Sequence, residues 1–161
     1  MANAFYVHIE GATQGKLDGD VDQEGREKMI RGYRFESRST IPRHADTGQP
    51  TGTRTHHPLV FSKHVDRSSP QLWQAMTSGE SLKVVRFDFY RINESGENEK
   101  YYSITLSEAI VVEMKSELED TSKATDLQAE EMREYVSLTF KKIQWEHLIE
   151  STAAADDWRK T

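Results

Sequence analysis

The sequence predicts a mainly β fold: a single-domain barrel or sandwich of antiparallel strands with one short α-helix at about 69–78 and an extended loop at about 42–56. Three observations carry this. Residues 82–93, LKVVRFDFYRIN, alternate Val85, Phe87 and Phe89 with Arg86 and Asp88, the period-two pattern of a strand with one buried face. Similar short runs recur along the chain between clusters of Gly, Pro, Asn and Ser. A helix start with a physical basis occurs in one place, where Ser68 or Ser69 can cap free amides and Pro70 suits the first helical position, which needs no N–H.

Taken in order, Phe5, Val7 and Ile9 alternate with Tyr6 and His8, so residues 4–10 read as a strand. Residues 11–28 are polar and glycine-rich and read as a loop. Asp18, Asp20 and Asp22 have the spacing that opens an EF-hand, but Gln23 replaces the turn glycine and Met29 the bidentate glutamate, so a solvated acidic loop is the reading. Residues 29–41 return to strand character, with Tyr33 and Phe35 expected on one face and Arg34 and Glu36 on the other. Pro42 to Thr55 show no periodicity, and a structureless loop of that length is usually functional or disordered. LVFSKHV, Leu59 to Val65, is a strand. In the helix that follows, Leu72, Ala75 and Met76 share one face, and Gly79 supplies a left-handed end.

After 82–93, ESGENE is a hairpin turn; KYYSITL pairs back, and IVVEM makes another strand. Residues 115–131 are acidic and polar and read as a long exposed loop. The last strand carries Val136, Leu138 and Phe140, then Ile143 and Trp145; the apolar phase slips between Phe140 and Ile143, and a β-bulge near Lys141 and Lys142 would repair it. Residues 1–150 are then the domain and 151–161 a C-terminal tail.

Composition sets limits on function. The 161 residues carry a net charge of −6, which argues against a nucleic-acid partner, since phosphates reward clustered Lys and Arg. Counting glycine and leaving out tyrosine, roughly 37% of residues are apolar, against about 45–50% in an average soluble domain. Such a thin core fits a barrel stabilised by association. There is no cysteine, hence no disulfide and no thiol catalysis. The N-terminus lacks a signal-peptide pattern and no run approaches the ~20 apolar residues of a membrane helix, so the expectation is a cytoplasmic chain without membrane insertion. His56 and His57 point to opposite faces of any strand, and His57 precedes Pro58, so a metal site with His64 or His44 is not expected. No G-x-S-x-G, P-loop, dinucleotide fingerprint or H-E-x-x-H is present; the expectation is a non-enzyme with no cofactor and no metal.

The run TGQPTGTRTHHPLVFSKHVDRSSPQLWQAMTSGESL, with FYRIN (89–93) and ITLSEAIVV (104–112) further on, resembles the haemolysin-coregulated protein (Hcp) family, the tube subunits of type VI secretion systems. The resemblance spans roughly residues 4–145. It implies a homohexameric ring that stacks into a tube, expelled by contractile sheath proteins with a VgrG-like spike at its tip and secreted effector proteins in its lumen, leaving the cell without a signal peptide. It implies that the extended loop contacts neighbouring subunits through Asp46, Thr47, Gly48, Gln49, Pro50, Thr51, Gly52 and Arg54, and that Arg34 and Glu36 are lumen candidates. Two alternatives stay open: a monomeric small-ligand barrel or hydrolase, and a contractile phage tail-tube protein.

Overall fold

The computed structural model describes residues 3–120, 122 and 131–158. In chain order the elements are β1 (Ala4–Gly11), β2 (Gly15–Leu17), β3 (Ile30–Glu36), β4 (Ser39–Thr40), β5 (Thr55–His56), β6 (Leu59–His64), α1 (Ser69–Ser78), β7 (Leu82–Ile92), β8 (Asn98–Glu117), β9 (Arg133–Thr139), β10 (Lys142–His147) and β11 (Thr152–Asp157). Every strand pairing is antiparallel. The order β8–β7–β1–β3–β6–β9 closes on itself because β9 also pairs β8, which makes a six-stranded barrel. β10 and β11 continue the sheet from β8 outside that ring, and β4 and β5 form a separate two-stranded ladder.

The alternation read from sequence explains the core. Phe5, Val7 and Ile9 of β1, Leu59 and Phe61 of β6, Val85 and Phe87 of β7 and Leu138 of β9 all face inward and are buried. Phe35 and Phe61 meet Phe87 edge-on, with ring centroids 5.2 and 5.4 Å apart. Gly32 is required where β3 crosses β1: a Cβ there would stand 2.0 Å from Phe5 Cε2. α1 ends at Gly79 in the left-handed region (φ 70°), with the Gly79 N–H bonded to the Met76 carbonyl and the Glu80 N–H to that of Ala75.

Several expectations are corrected. Tyr33 does not share the face of Phe35: the β3–β6 register shifts between Gly32 and Arg34, and the extra residue, Tyr33, turns outward, 54% exposed, to stack on His64. The stretch 29–41 is two strands, β3 and β4, and 11–28 contains β2. The loop expected over 115–131 starts late, because β8 runs to Glu117 and pairs there with β9; residues 121 and 123–130 lie outside those described. The long last strand is two, β9 and β10. Their register against β8 is unchanged across the break, with Thr139 opposite Ile110 and Lys142 opposite Ser107, so there is no bulge at Lys141 and Lys142. The phase change comes from a bend shared by both partners, with Glu108 of β8 at φ 49°, and the register shift lies at Val111–Glu113 instead. Residues 152–157, in the segment expected as a tail, form β11 along the whole of β10. On α1, Leu72 and Ala75 are fully buried, whereas Met76 is only partly covered.

Candidate assembly surface

The loop at 42–56 is a hairpin arm. At its base Ser39 pairs with His56 and Thr40 with Thr55. Beyond the base, the Thr51 N–H donates to the Pro42 carbonyl, the His44 N–H to that of Gln49 and the Gly48 N–H to that of His44, at 2.8–2.9 Å. The sequence hides this order because prolines and glycines replace the alternating apolar residues by which strands are usually found. Asp46, Thr47, Gly48, Gln49, Pro50, Thr51 and Gly52 are all exposed and project from the body of the chain. The arm carries no buried apolar side chain of its own between Ile41 and Thr53.

Arg54 is placed differently from the other loop residues. Its guanidinium turns back and donates from Nε and Nη2 to the two carboxylate oxygens of Asp156 on β11, both at 2.9 Å, and from Nη2 to the Asp157 carbonyl at 2.9 Å. This is the two-pronged geometry that a guanidinium and a carboxylate share. His56, buried among the rings of Phe140, Trp145 and Trp158, adds a third bond: its Nε2 lies 2.7 Å from Asp156 Oδ2. A carboxylate only accepts, so Nε2 holds the proton. The other ring nitrogen lies 2.6 Å from Ser39 Oγ, on the opposite strand of the arm's base. The Arg54 bonds first, and then that from His56, hold the Asp156 carboxyl at about 2, below the ordinary 3.8.

Arg34 and Glu36 lie on β3 facing away from the core, and Arg34 Nη2 donates to Glu36 Oε2 at 2.9 Å. They flank a shallow groove with Val60, Val112, Lys115 and Tyr135. The structure thus brings Arg34 and Glu36 together, and places both apart from the arm's tip.

A second charged cluster escaped the sequence reading. Lys63 points into the barrel and is fully buried. Its Nζ donates to Asp66 Oδ1 at 2.9 Å, Ser69 Oγ at 2.8 Å and the His64 carbonyl at 3.2 Å, and lies 3.7 Å from Glu134 Oε2 on β9. Asp66 also accepts from the Ser68 N–H and hydroxyl, and Ser69 Oγ accepts from the Asp66 N–H, so the entry to α1 is tied through Lys63 rather than through a side-chain cap by Ser68. The signal was available: Lys63 is in phase with Leu59 and Phe61, and a lysine in phase with a core face needs a partner. Among the described residues, no group of three or more His, Cys, Asp or Glu is placed to hold a metal, and no helix is long and apolar enough to cross a membrane.

A closed antiparallel barrel with one helix, an outlying strand pair and a projecting hairpin arm defines the class of small β-barrel subunits to which the comparisons point. The family described as "Type VI secretion system effector, Hcp" matches residues 6–147, and the chain belongs to it. It is 35% identical over 168 residues to the major exported protein of Pseudomonas aeruginosa, covering 99% of this chain and 97% of that one. Among solved structures it is similar to the Hcp1 protein of an enteroaggregative E. coli pathovar, in a double-mutant form, with TM-score 0.86, 30% identity and coverage of 98% and 99%. It is also similar to the secreted protein Hcp3 of P. aeruginosa, with TM-score 0.79, 32% identity and coverage of 99% and 100%.

Proposed function

We propose that this chain is a structural tube subunit of a type VI secretion system. Six copies close into a ring, rings stack into a tube, and a contractile sheath drives the tube outward with a VgrG-like spike at its tip and effector proteins in its lumen. The subunit is made in the cytoplasm and exported by the machine itself. Family membership supports the tube, and one observation carries the assembly: a self-bonded arm, exposed along residues 41–53, that buries no apolar side chain against its own chain. Rings of identical subunits use interfaces in which one surface meets a different surface of the next copy. Asp46 to Gly52 are the part of the arm that reaches such a neighbour, and the outward pair Arg34 and Glu36 is assigned to the lumen wall.

Light scattering and electron microscopy of the purified protein test this directly. The expected result is six-membered rings; monomer alone at micromolar concentration would end the reading. Replacing Thr47 to Gly52 by a Gly-Ser linker is expected to leave the barrel folded and to weaken ring assembly or stacking. Unchanged rings and unchanged secretion would remove the arm from the interface.

A further inference from the structure

The arm's ladder is not part of the barrel sheet. Two residue pairs join β4 to β5, and neither strand pairs with the barrel. The arm's base continues the β3–β6 hairpin, where Glu36 lies opposite Val60 and the His57 N–H donates to the Arg38 carbonyl at 2.9 Å, but the strands are interrupted between Glu36 and Ser39. Beside that interruption one carboxylate gathers side chains from both strands of the arm. Asp156 receives the return strand of the arm twice, through Arg54 and His56, and reaches the outgoing strand through the His56–Ser39 contact. Asp156 sits on β11, which lies outside the closed barrel and is attached to it through β10 alone. The barrel closes without Asp156, which is where the arm's base meets β11.

We propose that Asp156 is a positioning residue for assembly: it locks the arm at a fixed angle to β11 so that the arm meets a neighbouring copy already oriented. This rests on the reading that the arm docks on another copy. The physical gain is pre-organisation. A segment fixed before docking loses less freedom on binding, because its side chains need not be immobilised at that moment. A carboxylate suits the task because two planar oxygens accept the Arg54 fork and still leave a lone pair for the imidazole.

The chain has no cysteine, so introduced cysteines can be labelled cleanly. Nitroxides at Thr47→Cys, on the arm, and Ser95→Cys, in the exposed turn between β7 and β8, report the arm's angle as a distance distribution. Labelled protein is diluted into unlabelled protein so that only distances within one copy are read. In the otherwise wild-type chain the distribution is expected to be narrow. Asp156→Ala is expected to broaden it and to raise the concentration at half-assembly about tenfold, the loss of one or two pre-ordered contacts. Asp156→Asn keeps the shape and one acceptor oxygen and guards against a variant that does not fold; it is expected to fall between. Arg54→Lys keeps the charge without the fork and is also expected to be intermediate. A distribution that stays narrow in Asp156→Ala and Asp156→Asn overturns the lock. A broadened arm with unchanged assembly overturns the positioning role while leaving the tube reading intact. Assembly is measured on chains without labels; an unlabelled wild-type chain that never assembles defeats the tube reading, and the distance distributions still decide the lock.

Discussion

Lys63 and Asp156 are both charged, both make three hydrogen bonds to protein groups, and both tie a helix or hairpin to a sheet. They differ in where the charge sits. Lys63 is sealed inside the barrel, with Asp66 11% exposed and Glu134 2% exposed beside it. Asp156 is 29% exposed, on an outlying strand. A sealed ion must keep its partners or the fold suffers, because water cannot replace them. A charge at the rim can lose a partner to solvent, so what it contributes is direction more than stability. The same chemistry thus serves folding in one place and presentation in the other.

The largest effect expected from breaking this contrast is at Lys63. Lys63→Ala strips a counter-charge from Asp66 and from Glu134, whose Oε2 has no hydrogen bond of its own, and should destabilise the chain by about 3–5 kcal/mol in urea unfolding. A loss below about 1 kcal/mol would show that the cavity admits water, and the contrast would collapse.

Asp156→Asn should cost less, about 1–3 kcal/mol at neutral pH, as one charge-assisted set of bonds becomes neutral. Its pH dependence sharpens the point. The folded-state value, about 2, lies below the ordinary 3.8, so the ionised form stabilises the fold fully above about pH 4, and that contribution fades as pH falls toward 2. The gap in melting temperature between wild type and Asp156→Asn should therefore be constant from pH 7 to about 5 and shrink below about 4. A gap that does not change with pH would mean that the Asn side chain replaces shape alone.

The smallest effect should come from Arg34→Glu. The Arg34–Glu36 pair is more than half exposed, and such pairs contribute about 0.2–1 kcal/mol. Melting should barely move. If Arg34 lines a lumen, the substitution should change retention of a cognate effector in pull-downs at low salt and lose that effect at high salt. Equal retention by both proteins at low salt would take Arg34 out of the lumen.

How much of this was legible in the residues depends on distance along the chain. The strands around Val7, Phe61 and Phe87 follow from alternation, because a strand's two faces are written in neighbouring residues. The turn at Gly79 is equally local. Tyr33 was misread because one bulged residue reverses the faces of everything before or after it, and nothing in GYRF marks the insertion. The phase slip after Phe140 was visible, yet the partner strand bends with it at Glu108, and nothing near Phe140 marks that. Asp156 could not be found at all: its partners Arg54 and His56 are about a hundred residues away, and TAAADD has no apolar pattern to mark it as a strand. The family words in TGQPTG and SSP pointed to the arm and the helix, but not to what holds the arm still.

β8 pairs with β7 along one edge, and with β10 and then β9 along the other. The hairpin with β7 forms from neighbouring residues, but the ring shuts only when Arg133–Thr139 slots between β6 and the far half of β8. During synthesis, two hydrogen-bonding edges therefore stay open until that late segment has left the ribosome. Contacts so distant in sequence close slowly. Unpaired edges recruit strands from other chains in the meantime. The chain's most hazardous interval is thus just before β9 arrives, and slowing translation upstream of residue 133 should raise the aggregated fraction of nascent chains while leaving the stability of the finished barrel untouched.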